Sequence, residues 1–86
     1  MTYLVQFTAG AARQIKRLPR PVQSRVLDAI ADLGGQPRPR GSRKLAGEEV
    51  AWRIRVSDYR VIYELLDTSL TVTVVRAGHR REVYDR

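Results

Sequence analysis

The feature that most constrains the fold is a series of three alternating apolar segments in the second half of the chain. In the first, VAWRIRV, the side chains of Trp52, Ile54 and Val56 share one side, and those of Arg53 and Arg55 share the other. The segments YRVIYELL and LTVTVVRA follow after the short polar links SD and DTS. A period of two predicts strands, and links this short predict that the strands pair antiparallel as a meander.

The first half of the chain predicts one strand and two helices. Residues 3–7 alternate and are rich in aromatic and β-branched side chains, which favours a strand. Thr8 is a suitable N-cap for a first helix that Pro19 ends. Pro21 suits the first turn of a second helix, which stops at the glycine pair after Leu33. The short link between the helices predicts an antiparallel hairpin.

The order β-α-α-β-β-β predicts an α+β fold in which the helical hairpin packs on a small curved, mainly antiparallel sheet. With 86 residues the chain can bury one modest core, so residues 1–86 are expected to form a single domain. Residues 36–44, between the second helix and the meander, carry four basic side chains, two prolines and no acid. This composition predicts an irregular basic loop on the surface.

Composition limits the kinds of partner and of chemistry. The chain has 16 Lys and Arg against 9 Asp and Glu, a net charge of +7, which favours nucleic acid, an anionic membrane or an acidic protein segment as partner. The absence of cysteine excludes disulfide scaffolds and thiolate sites, and a single histidine cannot form a His-based metal site alone, so we expect no metal and no cofactor. Because neither a membrane helix nor a signal peptide is indicated, a cytoplasmic protein is expected.

The basic side chains of the meander form a first candidate site. Arg53 and Arg55 point away from the apolar side of their strand, whereas the face that Arg60 occupies depends on a register that the sequence does not determine. A solvated strand face is the ordinary interpretation of such residues. Three bases in eight residues, with only Asp58 near them, favour an anion site, because like charges on one face repel.

The carboxy-terminal segment AGHRREVYDR is the second candidate site. Charged residues at a chain end are commonly frayed, which is the ordinary interpretation. The mixture of side chains nevertheless suits RNA, because Arg80 and Arg81 can neutralise phosphate. Tyr84 can stack on a base or transfer a proton, and His79 offers an imidazole for proton transfer.

Taken together, four motifs resemble the RelE toxins of bacterial toxin–antitoxin pairs, within the wider RelE/ParE superfamily. They are a KLAG loop, WRIRV, YRVIYEL and a β-branched strand that ends in GHRREVY. The resemblance runs from Tyr3 to Tyr84 and is strongest from Lys44 onwards. The YRVIYE segment is typical of the superfamily, and GHRREVY favours RelE over ParE.

The resemblance implies a toxin that is a ribosome-dependent, metal-independent endoribonuclease and that cuts mRNA in the A site. The 2′-hydroxyl attacks the adjacent phosphate, which leaves a 2′,3′-cyclic phosphate and a free 5′-hydroxyl. The catalytic residues implied by motif are Arg53, Arg55, Arg60, Arg80 and Tyr84. Further residues expected to contact RNA are Arg38, Arg40, Arg43, Lys44, His79 and Arg81.

Two departures from the family pattern affect these assignments. Well-studied members carry Lys at the two second-strand positions, where this chain has Arg53 and Arg55. A guanidinium group stabilises a phosphorane-like transition state but is a poor general base, because its pKa exceeds about 12. The base that takes the 2′-hydroxyl proton is therefore open, with Tyr84, His79 or another residue as candidates. The tail is also shorter than in the best-known members, and Arg80 is preferred to Arg81 as the catalytic residue.

The resemblance also implies partners. They are a cognate antitoxin whose acidic, amphipathic segment covers the basic face, the ribosome with its mRNA, and operator DNA reached only through the antitoxin. No membrane is expected among them. A ParE-like inhibitor of DNA gyrase without nuclease activity is the alternative, since it shares the fold and the basic character. A basic nucleic-acid-binding protein without toxin activity is the third interpretation, with which the Arg-for-Lys departures are consistent.

Overall fold

A computed structural model describes residues 2–83. The strands form one sheet in the order β1-β5-β4-β3-β2, in which β1 runs parallel to β5 and every other pair is antiparallel. The predicted α+β class, a helical hairpin on a mainly antiparallel sheet, is confirmed. In chain order the elements are β1 (Leu4–Phe7), α1 (Ala9–Lys16), α2 (Arg20–Asp32), β2 (Arg43–Lys44), β3 (Ala51–Val56), β4 (Tyr59–Leu66) and β5 (Thr71–His79).

Both helices begin where the sequence predicts. The Thr8 hydroxyl accepts a hydrogen bond from the Ala11 amide at 3.1 Å, which satisfies one of the free N–H groups of the first turn of α1. Pro21 lies in the first turn of α2. Each helix turns a narrow apolar stripe towards the sheet, including Ile15 of α1 and Ile30 of α2. No helix within residues 2–83 is long and apolar enough to cross a membrane.

The core lies between the helices and the inner face of the sheet, and a bulge in β5 shapes it. Ile62 pairs with Arg76 and Tyr63 pairs with Val74, so Val75 is an extra residue on β5. Because the bulge reverses the alternation along β5, Val74 and Ala77 both face the helices although they are three positions apart. Arg76 is thereby turned to the outer face, together with Ile62.

The prediction that the whole of residues 36–44 is irregular was wrong for the last two. Arg43 and Lys44 form β2, which pairs with Arg53 and Trp52 of β3. Proline and glycine restrict the backbone only up to Gly41, which has a φ of 89°. Beyond that point the backbone is free to satisfy its hydrogen bonds on the open edge of β3.

One buried hydrogen bond holds the start of this loop against the core. Tyr63 is fully buried, and its hydroxyl donates to the Pro37 carbonyl at 2.6 Å. Burial raises the pKa of Tyr63 to about 12, because the phenolate is disfavoured away from water. The loop that carries the basic residues is therefore anchored to the centre of the sheet.

Candidate nucleic-acid interface

The register of the hairpin between β3 and β4 determines the face of Arg60. The strands are joined by the turn at Ser57 and Asp58, and Ser57 has a positive φ of 57°. Arg55 lies directly opposite Arg60, and Val56 lies opposite Tyr59. Because directly opposite residues share a side of an antiparallel sheet, Arg60 lies with Arg55 on the outer face, away from the helices.

A second row of arginines lies one step along the same face. Arg53 is opposite Arg43 of β2 on one side and opposite Ile62 of β4 on the other, and Ile62 is in turn opposite Arg76. Two neighbouring rows of cations therefore cross the outer face of the sheet. We call this surface the arginine face: Arg43, Arg53, Arg55, Arg60 and Arg76.

Sequence reasoning missed Arg76 as a member of this face. Strict alternation from Val72 and Val74 would place Arg76 on the core side of β5. The bulge at Val75 reverses that placement. A bulge has no reliable sequence signal here, so no pattern in the chain could have found this residue.

The two second-strand arginines differ in their environment. Arg55 is exposed, whereas only 4% of Arg53 is exposed, although both lie on the outer face. Arg53 lies between β2 and β4, and Arg55 lies beyond the end of β2. A guanidinium group buried to this degree is held in place, whereas Arg55 can move to meet a ligand.

Three of the predicted catalytic residues meet in one small cleft. The cleft has a volume of about 120 Å³ and is lined by Arg55, Ser57, Asp58, Arg60 and Arg80. The Arg80 amide donates to the Asp58 carbonyl at 2.8 Å, which fixes the start of the tail beside the hairpin turn. Ser57 and Asp58 were predicted only as a turn, and their position between Arg55 and Arg60 in sequence is the signal that could have marked them.

A larger cleft of about 470 Å³ adjoins the first, because Arg55 lines both. The cleft runs along the part of the β3 edge that β2 does not cover. Its volume is that of an ordinary small-ligand site. Asp32 is its one acidic lining residue, so the cleft favours anions. Its basic lining residues are Arg40, Arg43, Arg53 and Arg55.

The structure does not bring Arg38 to the arginine face. Its guanidinium donates two hydrogen bonds to the Asp67 carboxylate, at 3.2 and 2.6 Å, and lies 5.1 Å from the centroid of the Trp52 ring. Tyr3 donates a third hydrogen bond to Asp67 at 2.6 Å. The hydrogen bond from Arg38, followed by that from Tyr3, lowers the pKa of Asp67, and the hydrogen bond to Asp67 raises the pKa of Tyr3.

The remaining predicted site residues are scattered. Lys44 is exposed and lies opposite Trp52, so its strand position is on the helix-facing side of the sheet. His79 lies opposite Tyr59, also on the helix-facing side. Arg81 is exposed in the turn that follows β5. Tyr84 lies outside the described residues.

The chemistry that this arrangement offers is charge neutralisation. Guanidinium groups on two adjoining strands and on the tail converge on one cleft, and each can donate two parallel hydrogen bonds to a phosphate. Within residues 2–83 no group of three His, Asp or Glu side chains is placed to hold a metal ion. The predicted metal independence remains a prediction.

Comparison with known proteins identifies the family. Residues 5–84 match the family described as the ParE toxin of type II toxin–antitoxin systems, parDE. The chain belongs to the RelE/ParE superfamily of type II toxins. Toxin RelG of Mycobacterium tuberculosis is 34% identical over 90 residues, with 100% of both chains covered. The mRNA interferase toxin RelE of Escherichia coli is 27% identical over 88 residues, which cover 98% of this chain and 92% of that relative.

A solved structure agrees with these relatives. A chain in the crystal structure of the toxin–antitoxin complex RelBE2 from Mycobacterium tuberculosis is 32% identical and superposes with a TM-score of 0.80, covering 93% of this chain and 100% of that chain. The predicted resemblance to RelE-like toxins is therefore confirmed. The relatives carry the names RelG and RelE, in line with the GHRREVY motif, whereas the matching family description carries the name ParE.

Proposed function

We propose that this RelE-like chain is a ribosome-dependent mRNA endoribonuclease that cuts in the A site. The observation that carries the proposal is the cleft shared by Arg55, Arg60 and Arg80, in which the hairpin and the tail bring three guanidinium groups together. The name mRNA interferase, borne by a relative that aligns with 98% of the chain, supports the same reaction.

The proposed reaction is an internal transesterification at a phosphate held in the small cleft. The 2′-oxygen forms a bond to phosphorus and loses its proton to a general base, while the bond from phosphorus to the 5′-oxygen breaks. The departing oxygen takes up a proton, which leaves a 2′,3′-cyclic phosphate and a 5′-hydroxyl. Arg55, Arg60 and Arg80 stabilise the negative charge that grows on the equatorial oxygens of the transition state.

We assign the role of general base to Tyr84. His79 lies on the other side of the sheet from Arg55 and Arg60, whereas Tyr84 follows Arg80 by four residues. A tyrosine that reached the guanidinium groups of the cleft would be a better base there than in water, because nearby cations favour the deprotonated phenol. Substitution of Tyr84 by Phe would remove the base and leave the phosphate-binding arginines in place.

The larger cleft is the proposed path of the RNA backbone. Arg40, Arg43 and Arg53 line it beside Arg55, so a strand whose scissile phosphate lies at Arg55 would continue along these residues. Single-stranded RNA is bound in this way by basic grooves that follow its phosphates. Arg38, Lys44 and Arg81 remain predicted contacts to the ribosome or its mRNA.

The proposed partner of the free toxin is a cognate antitoxin. The solved relative from Mycobacterium tuberculosis is described as a toxin–antitoxin complex. On this chain, an acidic and amphipathic antitoxin segment would cover the arginine face, because its carboxylates would compensate the paired rows of cations. Operator DNA would be reached only through that antitoxin.

The test is primer extension on mRNA that is being translated, with purified wild-type protein and with Arg60→Ala and Arg80→Ala. Each substitution is expected to slow cleavage in the A site by about 10²–10³-fold, the usual cost of removing one donor to a developing oxyanion. Arg25→Ala is the matched control, because Arg25 is exposed on α2 and lines neither cleft.

Two results of these assays would overturn the proposal, as would a lack of growth arrest on expression. One is cleavage by the Arg60→Ala, Arg80→Ala double variant at the wild-type rate. The other is growth arrest with inhibited supercoiling by DNA gyrase and intact mRNA, which would favour the ParE-like alternative. A protein that binds RNA but arrests no growth would favour the inactive alternative.

A further inference from the structure

His79 ends β5 on the side of the sheet away from the proposed reaction. It lies directly opposite Tyr59, whose ring packs against the core, and the two rings meet edge to face with centroids 5.3 Å apart and an interplanar angle of 81°. The neighbouring pair, Gly78 and Arg60, points to the outer face. The imidazole therefore lies on the opposite side of the sheet from Arg55 and Arg60.

The tail turn that follows β5 is tied to His79 by three hydrogen bonds. The Arg81 amide donates to the Nδ1 atom of His79 at 3.1 Å. The His79 carbonyl accepts from the Glu82 amide at 2.7 Å and from the Val83 amide at 3.1 Å. Between these anchors, the Arg80 amide donates a hydrogen bond to the Asp58 carbonyl.

The far end of the tail turn is held by packing. Val83 is buried, with 3% of its surface exposed, and its side chain lies over Gly78. A Cβ atom at Gly78 would come within 3.1 Å of Cγ2 of Val83, which is closer than carbon atoms normally approach. The turn over residues 79–83 is thus fixed by hydrogen bonds at its start and by the contact with Gly78 at its end.

The hydrogen bond to Nδ1 determines what the imidazole can do. A neutral imidazole has one N–H group and one lone pair. Because Nδ1 of His79 accepts the Arg81 amide, the proton of the neutral ring lies on Nε2. Nε2 then has no lone pair with which to take a proton, and the lone pair of Nδ1 is already engaged.

We propose that His79 is a positioning residue, which holds Arg80 in the cleft by ordering the turn that follows β5, and that it takes no proton from the RNA. The proposal rests on the proposed nuclease function for its kinetic consequence. His79 acts through one side-chain acceptor, Nδ1. A residue that offers an acceptor to the backbone amide two positions ahead should therefore replace it. Asparagine does this in an Asx turn, whereas phenylalanine retains a ring against Tyr59 without the acceptor.

The kinetic test compares His79→Asn with His79→Phe in the mRNA cleavage assay. His79→Asn is expected to stay within about threefold of the wild-type rate, and His79→Phe to fall roughly tenfold, as loss of one ordinary hydrogen bond implies. Equal rates in the two variants would overturn the proposal, whether both match the wild type or both fall by the roughly 10²–10⁴-fold expected of a lost general base. His79→Gln, which is too long for an Asx turn, replaces His79→Phe if the latter unfolds.

A structural test stands apart from the nuclease function. His79 is the only histidine of the chain, so a long-range ¹H–¹⁵N spectrum of the unmodified protein reports its tautomer without ambiguity. The proposal requires the Nε2–H tautomer in the neutral ring, and the Nδ1–H tautomer would overturn it. Hydrogen exchange of the Arg81 amide should be faster in His79→Phe than in His79→Asn. If the wild type cleaves no mRNA, the nuclease function fails, while these spectra still decide the role of His79 in the turn.

Discussion

At the residue scale, basic side chains that the sequence assigns to catalysis or to RNA binding have different environments in the structure. Arg55 is exposed in the shared cleft, Arg53 is buried in the middle of the sheet face, and Arg38 is bound to Asp67 beside Trp52. The pair of Arg38 and Asp67 is exposed, so its contribution to stability is small. Its effect is to fix the basic loop to the turn between β4 and β5.

The pH dependence of this contact follows from Asp67. Its pKa is lowered in the folded chain, so the contact is fully present above the unfolded value of about 3.9 and is lost as the pH falls through the folded value. Trp52 is the only tryptophan and lies against Arg38, so its fluorescence should change below about pH 4. We expect Asp67→Asn to lack this acid transition.

The control for this titration is Asp28→Asn, because Asp28 is exposed on α2. It removes the same charge from a helix that does not carry the Trp52 contact. An acid transition in Asp67→Asn with the wild-type midpoint would show that another carboxylate is responsible.

At the element scale, the hairpin of β3 and β4 brings the residues of the site together. Local features of the sequence, such as helix caps and turn residues, define where each element starts. The turn at Ser57 and Asp58 sets a register in which Arg55 faces Arg60. A shift by one residue would move every side chain of β4 to the other face and send Arg60 into the core. The burial of Val61 and Tyr63 prevents that shift, because both would then be exposed.

The N-cap of α1 provides a test of local stabilisation. Thr8→Ala removes the acceptor of the Ala11 amide and is expected to lower the free energy of unfolding by about 1 kcal/mol. Thr8→Ser retains a hydroxyl at the same place and should lose only a fraction of that. Urea unfolding of the three proteins measures the difference, and equal stabilities of the Ala and Ser variants would contradict the capping role.

At the scale of the whole molecule, the sheet separates the hydrophobic core from the arginine face. The helices and the inner strand faces enclose the core, and the outer face carries the two rows of the arginine face. Five of the 16 basic side chains lie on this one face, and their combined field attracts a polyanion and orients it on arrival.

The arginine face should make RNA binding depend on salt. The ligand for this test is a single-stranded RNA that lacks the reactive 2′-hydroxyl. The logarithm of its binding constant is expected to fall linearly with the logarithm of the salt concentration, with a slope of about −0.7 for each phosphate contact. Arg55→Gln should reduce this slope by about 0.7, because one contact is lost. Arg25→Gln, which changes the net charge equally, should leave the slope unchanged. Equal slopes in the two variants would indicate binding by net charge alone.

Much of the fold follows from local chemistry that can be recognised in the chain. Thr8, Pro19 and Pro21 mark the ends of the helices because capping and proline geometry act over a few residues. The alternation around Trp52 marks β3 because a strand can bury only one side. The motifs that end in GHRREVY also sufficed to place the chain in the RelE/ParE superfamily.

The composition of the site was decided only by tertiary structure. The face of Arg60 depends on pairing between strands, and that of Arg76 depends on a bulge, so neither is a property of its own segment. The formation of β2 needs the open edge of β3, and the position of His79 behind the sheet needs the register with Tyr59. Local sequence determined which residues are helical, extended or charged, because those preferences act between near neighbours. Which arginines meet was determined by hydrogen bonding between strands that are distant in the chain.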